Sequence, residues 1–349
     1  MTVVYCAGLY LRWITGQLFG DSWWLLALAD TFALYLYAPL LVLAPIALLT
    51  RRRSALLAVF AGATLFFAQY GALLIPIPLR AQSAGINALR VMTFNIPFPY
   101  YGSDEQALID HILAQNADVV FTQELTPRGV DALLRGLRPT YPYIASELSG
   151  LPHEGKLVFS KYPLRPDQVI EETTRGRTSQ VVIATIDGQE VVLVNMHPTS
   201  TYGVAHLDDL PYAVDVTYAL RESEVNDVLK YLSGETRPVI IAGDMNTTEQ
   251  TTAYRMLTQH YSDSWRDVGV GFGLTFPAPV FKLSHIPLPL PNRLKADGGL
   301  LDRTIPVGLL RLDYVLHSMD FRTIHAQTAV IGQSDHIAVV SDLVWTDHH

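Results

Sequence analysis

Acidic, amide and imidazole side chains recur in this sequence at the points where short apolar runs end. In the most compact example, the run at residues 239–242 is followed by Gly243, then Asp244, then Asn246 two residues later. Side chains alternate along an extended chain, so Asp244 and Asn246 are expected on one face. Gly243 removes a side chain where the backbone could approach a ligand. Taken alone, however, the stretch favours an ordinary turn after a strand.

Similar polar residues follow or interrupt the other apolar runs: Asn95, Glu124, His197, Asp313 and Ser334-Asp335-His336. Strand ends collect along one rim of a sheet, which is the usual place for a ligand site. Several carboxylates at one rim repel each other unless a divalent cation or protons neutralise them. Oxygen ligands from Glu, Asp and Asn favour Mg²⁺ or Mn²⁺. The residues therefore indicate metal-assisted hydrolysis of a phosphate ester.

The elements that must position these residues alternate between strands and amphipathic helices. Two strand patterns come first and each precedes a helical pattern, and more strands and two more helices follow. The predicted strands cover residues 89–96, 117–125, 155–162, 178–186, 190–196, 239–244, 310–317, 322–330 and 337–345. The predicted helices cover residues 104–116, 127–137, 213–232 and 248–259. Helical patterns on either side of two strand groups predict two packed sheets between helix layers.

The order and local sequence of these motifs resemble the endonuclease/exonuclease/phosphatase superfamily. The motifs are FNI with Asn95, QEL with Glu124, SKYP at residues 160–163, NMH with His197, GDMN with Asp244 and Asn246, RLDYV with Asp313, and SDH at residues 334–336. The resemblance extends over residues 89–344. It implies an α/β (α+β) fold, a four-layer α/β/β/α sandwich, and a hydrolase that acts on phosphate esters with Mg²⁺.

The resemblance also implies a role for each motif residue. Glu124 would be the chief metal ligand, with Asn95 nearby and Asp335 sharing the ion. Asp244 would orient and deprotonate the attacking water, and Asn246 would hold that water or a phosphate oxygen.

The imidazoles have the remaining implied roles. His336, polarised by Asp313, would bind the phosphate and stabilise the charge of the transition state. His197 would contact the phosphate or act as the acid toward the leaving group.

The first eighty residues are more apolar than the rest of the chain. Residues 31–49 and 54–78 contain no charged side chain, and because about 20 such residues span a bilayer, both are predicted transmembrane helices. Residues 3–19 include Arg12 and fit either a span or a helix lying flat in the interface. A cleaved signal peptide fits poorly, since no basic segment opens the chain.

The orientation of this anchor follows from Arg51, Arg52 and Arg53, which lie between the two predicted spans. The positive-inside rule places that loop in the cytoplasm and everything after about residue 81 outside it. We therefore expect a membrane anchor at residues 1–80, a linker at 81–88 and one catalytic domain at 89–349. The sole cysteine, Cys6, lies in the anchor, so the catalytic domain has no disulfide.

Charge separates the two parts and bears on the substrate. Residues 1–86 contain five basic and two acidic residues, which leaves 20 of the 25 basic and 31 of the 33 acidic residues for the remainder, a net charge of −11. Proteins that hold duplex nucleic acid usually present a basic surface. The domain is therefore a poor candidate for binding a duplex.

The sequence predicts a multi-pass membrane protein with an extracytoplasmic, Mg²⁺-dependent phosphohydrolase or phosphodiesterase domain. Its expected partners are the lipid bilayer and a phosphorylated substrate that is lipid-linked or otherwise membrane-proximal, and the sequence indicates no protein partner. The apolar, proline-rich stretch at residues 276–291 fits either a rigid surface loop or a rim that touches lipid. The alternatives are a tethered nuclease and a catalytically dead binding module.

Overall fold

The computed structural model describes residues 1–75, 88–97, 104–147, 155–171, 178–201, 206–279, 303–332 and 334–346, together with residues 282, 295, 296 and 299. Four helices come first: α1 (Thr2–Phe19), α2 (Trp24–Thr31), α3 (Leu40–Thr50) and α4 (Arg53–Leu74). A 3₁₀ helix at Ala33–Tyr37 joins α2 to α3.

Strands and helices alternate at first in the rest of the described chain, and five consecutive strands then precede α7. Its first half contains β1 (Leu89–Asn95), α5 (Glu105–Ala114), β2 (Val119–Leu125), α6 (Pro127–Leu137), β3 (Tyr143–Glu147), β4 (Gly155–Ser160), β5 (Leu164–Glu171), β6 (Thr178–Ile186) and β7 (Gln189–Met196). Its second half contains α7 (Leu210–Tyr231), β8 (Val239–Asp244), α8 (Thr252–Thr258), β9 (Ser262–Asp263), α9 (Ser264–Val268), β10 (Asp313–His317), β11 (Phe321–Ala329) and β12 (Ala338–Trp345). A short 3₁₀ helix at Leu207–Asp209 precedes α7.

The strands form two six-stranded sheets, in the orders β11-β12-β1-β2-β4-β3 and β5-β6-β7-β8-β10-β9. The pairs β1–β2 and β7–β8 are parallel, because a crossover through α5 or α7 joins their strands. One apolar core lies between the sheets. A second core joins the first sheet to α5 and α6, and a third joins the other sheet to α7 and α8. The predicted four-layer sandwich is confirmed.

Three strands were missed by the sequence analysis, and all three lie at or beside a sheet edge. They are β3, β5 and β9. The residues of β5 are mostly exposed, so this strand lacks the apolar alternation that marks a half-buried one. The strand predicted at residues 310–317 begins only at Asp313, because Leu310 forms an isolated bridge with Phe276 instead.

The first predicted membrane helix is interrupted. The helix expected at residues 31–49 is a 3₁₀ turn followed by α3, and Pro39 lies at the junction, where proline cannot donate a helical hydrogen bond. The second predicted membrane helix corresponds to α4, and residues 76–78 of that prediction lie outside the described residues. The same holds for residues 81–87 of the predicted linker and for most of the proline-rich stretch.

The N-terminal helices pack directly on the domain that carries the sheets. The Asp21 carboxylate accepts a hydrogen bond from the Thr252 amide at 2.7 Å, and the Arg255 guanidinium donates to the Gly16 carbonyl at 2.9 Å. An apolar cluster, which includes Leu73 of α4 and Trp265 of α9, continues this contact. These bonds give the helices a defined position at the start of α8, just after the Asp244 strand.

Candidate active site

The ends of six strands meet at one end of the sandwich. Strands β1, β2, β7 and β8 bring their carboxyl ends there, and β10 and β12 begin there. Asp313, the first residue of β10, pairs in register with Asp244, the last residue of β8. All eight residues that the sequence analysis singled out lie at or next to these strand ends, and they are Asn95, Glu124, His197, Asp244, Asn246, Asp313, Asp335 and His336.

Asn95 joins the two sheets at this end. Its Nδ2 donates to Oε1 of Glu124 at 3.1 Å and to Oδ2 of Asp244 at 2.9 Å, and the residue is fully buried. Glu124 lies in an irregular part of β2 and has φ of 56°, a left-handed conformation that is uncommon for residues other than glycine. Its side chain is 30 % exposed, so this carboxylate faces the opening of the site.

The structure explains the glycine at position 243 differently from the sequence analysis, which expected a ligand close to the backbone there. Its φ is 154°, and a Cβ atom there would lie 1.9 Å from the carbonyl oxygen of Met196 in the neighbouring strand β7. The glycine therefore permits β7 and β8 to approach each other, and the close approach is to backbone rather than to a ligand.

His197 and Asn246 flank Asp244. Nε2 of His197 lies 3.2 Å from Oε1 of Glu124 and 3.7 Å from Oδ2 of Asp244. The backbone amide of Asn246 donates to Oδ1 of Asp244 at 2.9 Å, and its side-chain amide donates to the carbonyl oxygen of Pro198 at 3.0 Å. The two loops after β7 and β8 are thus held together beside the Asp244 carboxylate.

His336 and Asp313 form a buried pair on the other side of Asp244. Nδ1 of His336 lies 2.9 Å from Oδ2 of Asp313, and its Nε2 lies 3.6 Å from Oδ2 of Asp244. Burial lowers the pKa of His336, but the charges of Asp313 and Asp244 outweigh this effect and hold the pKa well above its usual value. Burial raises the pKa of Asp313, and His336 opposes that rise. The arrangement favours a charged imidazole that faces Asp244.

Three residues without an expected role hold this pair in place. Ser334 Oγ donates to the Asn95 carbonyl at 2.7 Å and accepts from the His336 amide at 2.9 Å. Thr275 Oγ1 accepts from the Asp313 amide at 3.2 Å. The Phe276 ring lies 4.9 Å from the His336 ring, centroid to centroid. Ser334 was visible within the SDH motif, whereas no sequence signal marks Thr275 or Phe276.

A second supporting contact comes from α7. Glu224 accepts hydrogen bonds from both the amide and the hydroxyl of Thr199, and Nε of Arg221 donates to the Thr199 carbonyl at 3.0 Å. Both charged side chains are buried on a helix face that also buries Val225. Two charged residues three positions apart on an apolar helix face were a usable signal, because such residues are rarely buried without a partner. They fix the loop that carries His197.

The charges of the site are unbalanced. Four carboxylates lie around two imidazoles: Glu124, Asp244, Asp313 and Asp335 around His197 and His336. Burial raises the pKa of Asp335 to about 6, and the nearby charges of Glu124 and Asp244 add to the rise against the opposing effect of His336. Burial also raises the pKa of Glu124, but hydrogen bonds from His197 and Asn95 outweigh it and lower the pKa to about 2.

This chemistry fits a divalent cation. The buried oxygens Asn95 Oδ1, Asp313 Oδ1 and Asp335 Oδ1 have no hydrogen-bond partner among the described residues. Ligand atoms of Glu124, His197 and Asp244 lie within 4.8 Å of one another, close enough to share one ion. An excess of buried carboxylate and unpartnered oxygens is stabilised by a cation that prefers oxygen ligands.

Comparison with known proteins agrees with this site. Residues 92–336 match the sequence profile of the Endonuclease/Exonuclease/phosphatase family. The match covers more than half of the chain, so the chain belongs to this family. The protein is therefore a hydrolase of phosphate esters, and its family uses divalent metal ions. A search of curated proteins finds no significant match.

Solved structures share the fold. Truncated TDP2 from Caenorhabditis elegans is 17 % identical, with a TM-score of 0.54 over 74 % of this chain and 98 % of that one. An endonuclease/exonuclease/phosphatase from Bacteroides vulgatus is 17 % identical, with a TM-score of 0.51 over 74 % of this chain and 100 % of that one. TDP2 from D. rerio, complexed with a single-strand DNA product, is 18 % identical, with a TM-score of 0.52 over 74 % and 99 %. These likenesses show the four-layer fold.

Proposed function

We propose that the protein is a membrane-anchored, divalent-metal-dependent phosphohydrolase or phosphodiesterase that acts on a lipid-linked or other membrane-proximal phosphate ester. Residues 1–80 would form the anchor, residues 81–88 the linker, and residues 89–349 the catalytic domain outside the cytoplasm. The ion would be Mg²⁺, with Mn²⁺ as a substitute, since the ligand set is rich in oxygen.

The position of Asp244 carries the proposal. One oxygen of its carboxylate, Oδ2, accepts from Asn95 at 2.9 Å and lies 3.7 Å from His197 and 3.6 Å from His336. The other, Oδ1, is held by the Asn246 amide at 2.9 Å. A carboxylate fixed in this way, between one imidazole on each side, can take a proton from water without reorienting.

The side chains would act together as follows. Asp244 accepts a proton from the attacking water, Asn246 holds that water, and His336 with Asp313 stabilises the charge that develops on the phosphoryl oxygens. His197 gives a proton to the departing oxygen. A divalent cation held by Glu124, Asn95 and Asp335 would neutralise phosphate charge and lower the pKa of bound water.

The anchor is supported by two apolar helical segments, Ala33–Thr50 and Arg53–Leu74, which are long enough to cross a membrane. Only 22 % and 33 % of these segments is buried, so most of their apolar surface faces outward, unlike that of a core helix. Arg51, Arg52 and Arg53, at the turn between the two segments, support the outward orientation by the positive-inside rule. A reporter fused after residue 81 that is active only in the cytoplasm would contradict that orientation.

The proposal is tested on the full chain in nanodiscs. Hydrolysis is measured with Mg²⁺ and with a chelator, as phosphate released from lipid phosphates, lipid pyrophosphates, nucleotides and inositol phosphates, and as cleavage products of phosphodiesters such as DNA. We expect turnover of a lipid phosphate that needs the metal and is abolished by Asp244→Ala. Asp131→Ala is the matched control, since Asp131 is exposed on α6. Full activity of Asp244→Ala would refute the mechanism.

A tethered nuclease is the second candidate, because the family includes nucleases and the D. rerio relative is described in complex with a single-strand DNA product. The net charge of −11 on residues 87–349, from 20 basic and 31 acidic residues, disfavours a duplex substrate. Cleavage of DNA that weakens steeply with salt, without turnover of any lipid phosphate, would favour the nuclease.

A further inference from the structure

Both apolar segments touch the catalytic domain at their ends. The Tyr35 hydroxyl, in the 3₁₀ turn that leads into α3, donates to the Leu309 carbonyl at 2.5 Å. The Leu73 carbonyl, in the last turn of α4, accepts from the Gly271 amide at 2.7 Å. The loops at residues 270–273 and 307–310 therefore lie where the proposed spans leave the membrane.

The loop at residues 307–310 is linked to the imidazole of His336 through Phe276. The Leu309 amide donates to the Phe276 carbonyl at 2.7 Å, and the Phe276 ring lies 4.9 Å from the His336 ring. Tyr35, Leu309, Phe276 and His336 thus form a short series of contacts. The active site is therefore linked by three contacts to the start of the first proposed span.

Large apolar side chains are exposed around the same point. Val270 and Val307 are 45 % and 60 % exposed, and Phe32 and Tyr35 are 43 % and 38 % exposed. Single exposed apolar residues are ordinary on a protein surface. These four, which we call the rim, differ because they adjoin or belong to the ends of two helices whose outer faces are also apolar. They lie where the exposed apolar faces of α3 and α4 meet the catalytic domain.

We propose that the rim rests on the bilayer, so that the active site lies near headgroup level and receives its phosphate ester there. This inference rests on the proposed membrane anchor and names how the substrate arrives. The occupant is lipid rather than protein, because the rim is continuous with the outward faces of α3 and α4. The Tyr35 and Gly271 contacts would fix the height of the site above the membrane.

The contact can be measured without activity. The sole cysteine, Cys6, is buried, so a Cys6→Ser chain with Val307→Cys or Val270→Cys carries one fluorescent label, and the protein is reconstituted in liposomes with headgroup spin-labelled lipid. Val169→Cys is the matched control, since Val169 is 42 % exposed on β5, at the edge of its sheet away from β9. We expect several-fold stronger quenching at the rim than at Val169.

Equal quenching at the rim and at Val169 would overturn the inference. Label fluorescence that changes with the protein-to-lipid ratio but not with spin label would show that a second copy covers the rim, and this also overturns it. Because quenching needs no turnover, the result stands even if no lipid phosphate proves to be a substrate.

Activity gives the second measurement. Val270→Asp combined with Val307→Asp is compared with Val169→Asp in the full chain, on a lipid phosphate in liposomes and on the soluble ester bis(p-nitrophenyl) phosphate. We expect about tenfold lower turnover of the lipid substrate for the rim variant and unchanged turnover of the soluble ester. The two half-exposed valines together offer the membrane about the surface of one valine, and the loss of its burial has an effect of this order. Equal loss on both substrates would contradict a role in membrane contact.

Discussion

Two buried charged clusters lie side by side in this protein and differ in how their charges are balanced. Asp313 belongs to the active site, and Arg311, two residues earlier in the chain, is the centre of the second cluster. Arg311 is 3 % exposed and contacts Asp263 at 2.5 Å and Glu249 at 2.6 Å. Arg266 pairs with Glu249 as well. This paired network has two guanidinium groups for two carboxylates.

Burial raises the pKa of a carboxyl group in both clusters, but the net shift of the pKa is opposite. In the paired network, burial raises the pKa of Asp263, but the charge of Arg311 outweighs it and the pKa is lowered. In the active site, burial raises the pKa of Asp335 to about 6. A cluster that neutralises itself is suited to holding the fold, whereas one with excess carboxylate is suited to binding a cation. The two clusters are adjacent and both buried, so the balance of charge, rather than position, distinguishes the active site from the paired network.

The largest expected effect is on activity, with the fold left intact. Asp244→Asn keeps the shape of the side chain but removes the proton acceptor, so we expect hydrolysis to fall by about 10²- to 10⁴-fold. The melting temperature without metal should stay the same or rise, because one negative charge leaves a cluster that has too many. Steady-state kinetics and a thermal melt check both.

A loss of activity that came with a lower melting temperature would contradict this view, since it would mean that Asp244 stabilises the fold as Asp263 does. Asp131→Asn, on the exposed face of α6, is the control for both measurements.

The paired network should respond in the reverse way. Arg311→Met leaves Asp263 and Glu249 buried without their shared cation, and breaking a buried pair of this kind costs about 3–5 kcal/mol of unfolding free energy. Arg165→Met is the control, because that side chain is 57 % exposed and an exposed pair is worth about 1 kcal/mol or less. Urea unfolding of the full chain measures both.

If Arg311→Met were as stable as Arg165→Met, the paired network would not hold the fold. The contrast between a network that stabilises the fold and a site that binds a cation would then be wrong for the network.

The sequence predicted the catalytic end of the sandwich well and its surroundings poorly. Asn95, Glu124 and Asp244 end buried strands whose apolar runs are unmistakable, so their convergence follows from sheet geometry. The edge strand β5 is mostly exposed and has no such run. The contact of Arg221 and Glu224 with Thr199 depends on a loop whose path the pattern does not specify.

Contacts between distant segments were also beyond the sequence. The Gly16 carbonyl accepts from Arg255, 239 positions along the chain, and no local pattern encodes such a pairing. Arg12 lies in the segment that fits either a span or an interfacial helix, and it forms a buried ion pair with Asp30 of α2. The predicted anchor is therefore joined to the domain by specific contacts as well as by the linker.

Metal should stabilise only the unbalanced cluster. At a Mg²⁺ concentration a hundred times its dissociation constant, linkage adds about 2.7 kcal/mol to the unfolding free energy. We expect adding Mg²⁺ to raise the melting temperature of the wild type and to raise that of Asp335→Asn by less. Glu249→Gln, which moderately destabilises the paired network, is the control and should show the same rise as the wild type. An equal rise in all three would place the ion elsewhere.

The smallest effect is a dependence of stability on pH that changes sign with metal. Because the folded pKa of Asp335 lies near 6, above its usual value near 3.8, the metal-free fold holds this proton more tightly than the unfolded chain. The stabilisation that this proton provides is complete below about pH 4 and is lost as the pH rises to 6. Over that range the unfolding free energy falls by at most about 1.4 kcal/mol per pH unit. Saturating Mg²⁺ should reverse this, since the cation binds the carboxylate form.

Burial raises the pKa of Asp313 as well, so the quantity to compare is the difference in melting temperature between wild type and Asp335→Asn from pH 4 to 6. Without metal, this difference should shift against the wild type as the pH rises, and with Mg²⁺ it should shift in its favour. Asp263, whose lowered pKa places its effect at lower pH, should contribute to neither trend. A difference that is flat in both conditions would mean that Asp335 is balanced by its protein neighbours, as Asp263 is, and that its burial does not favour a cation.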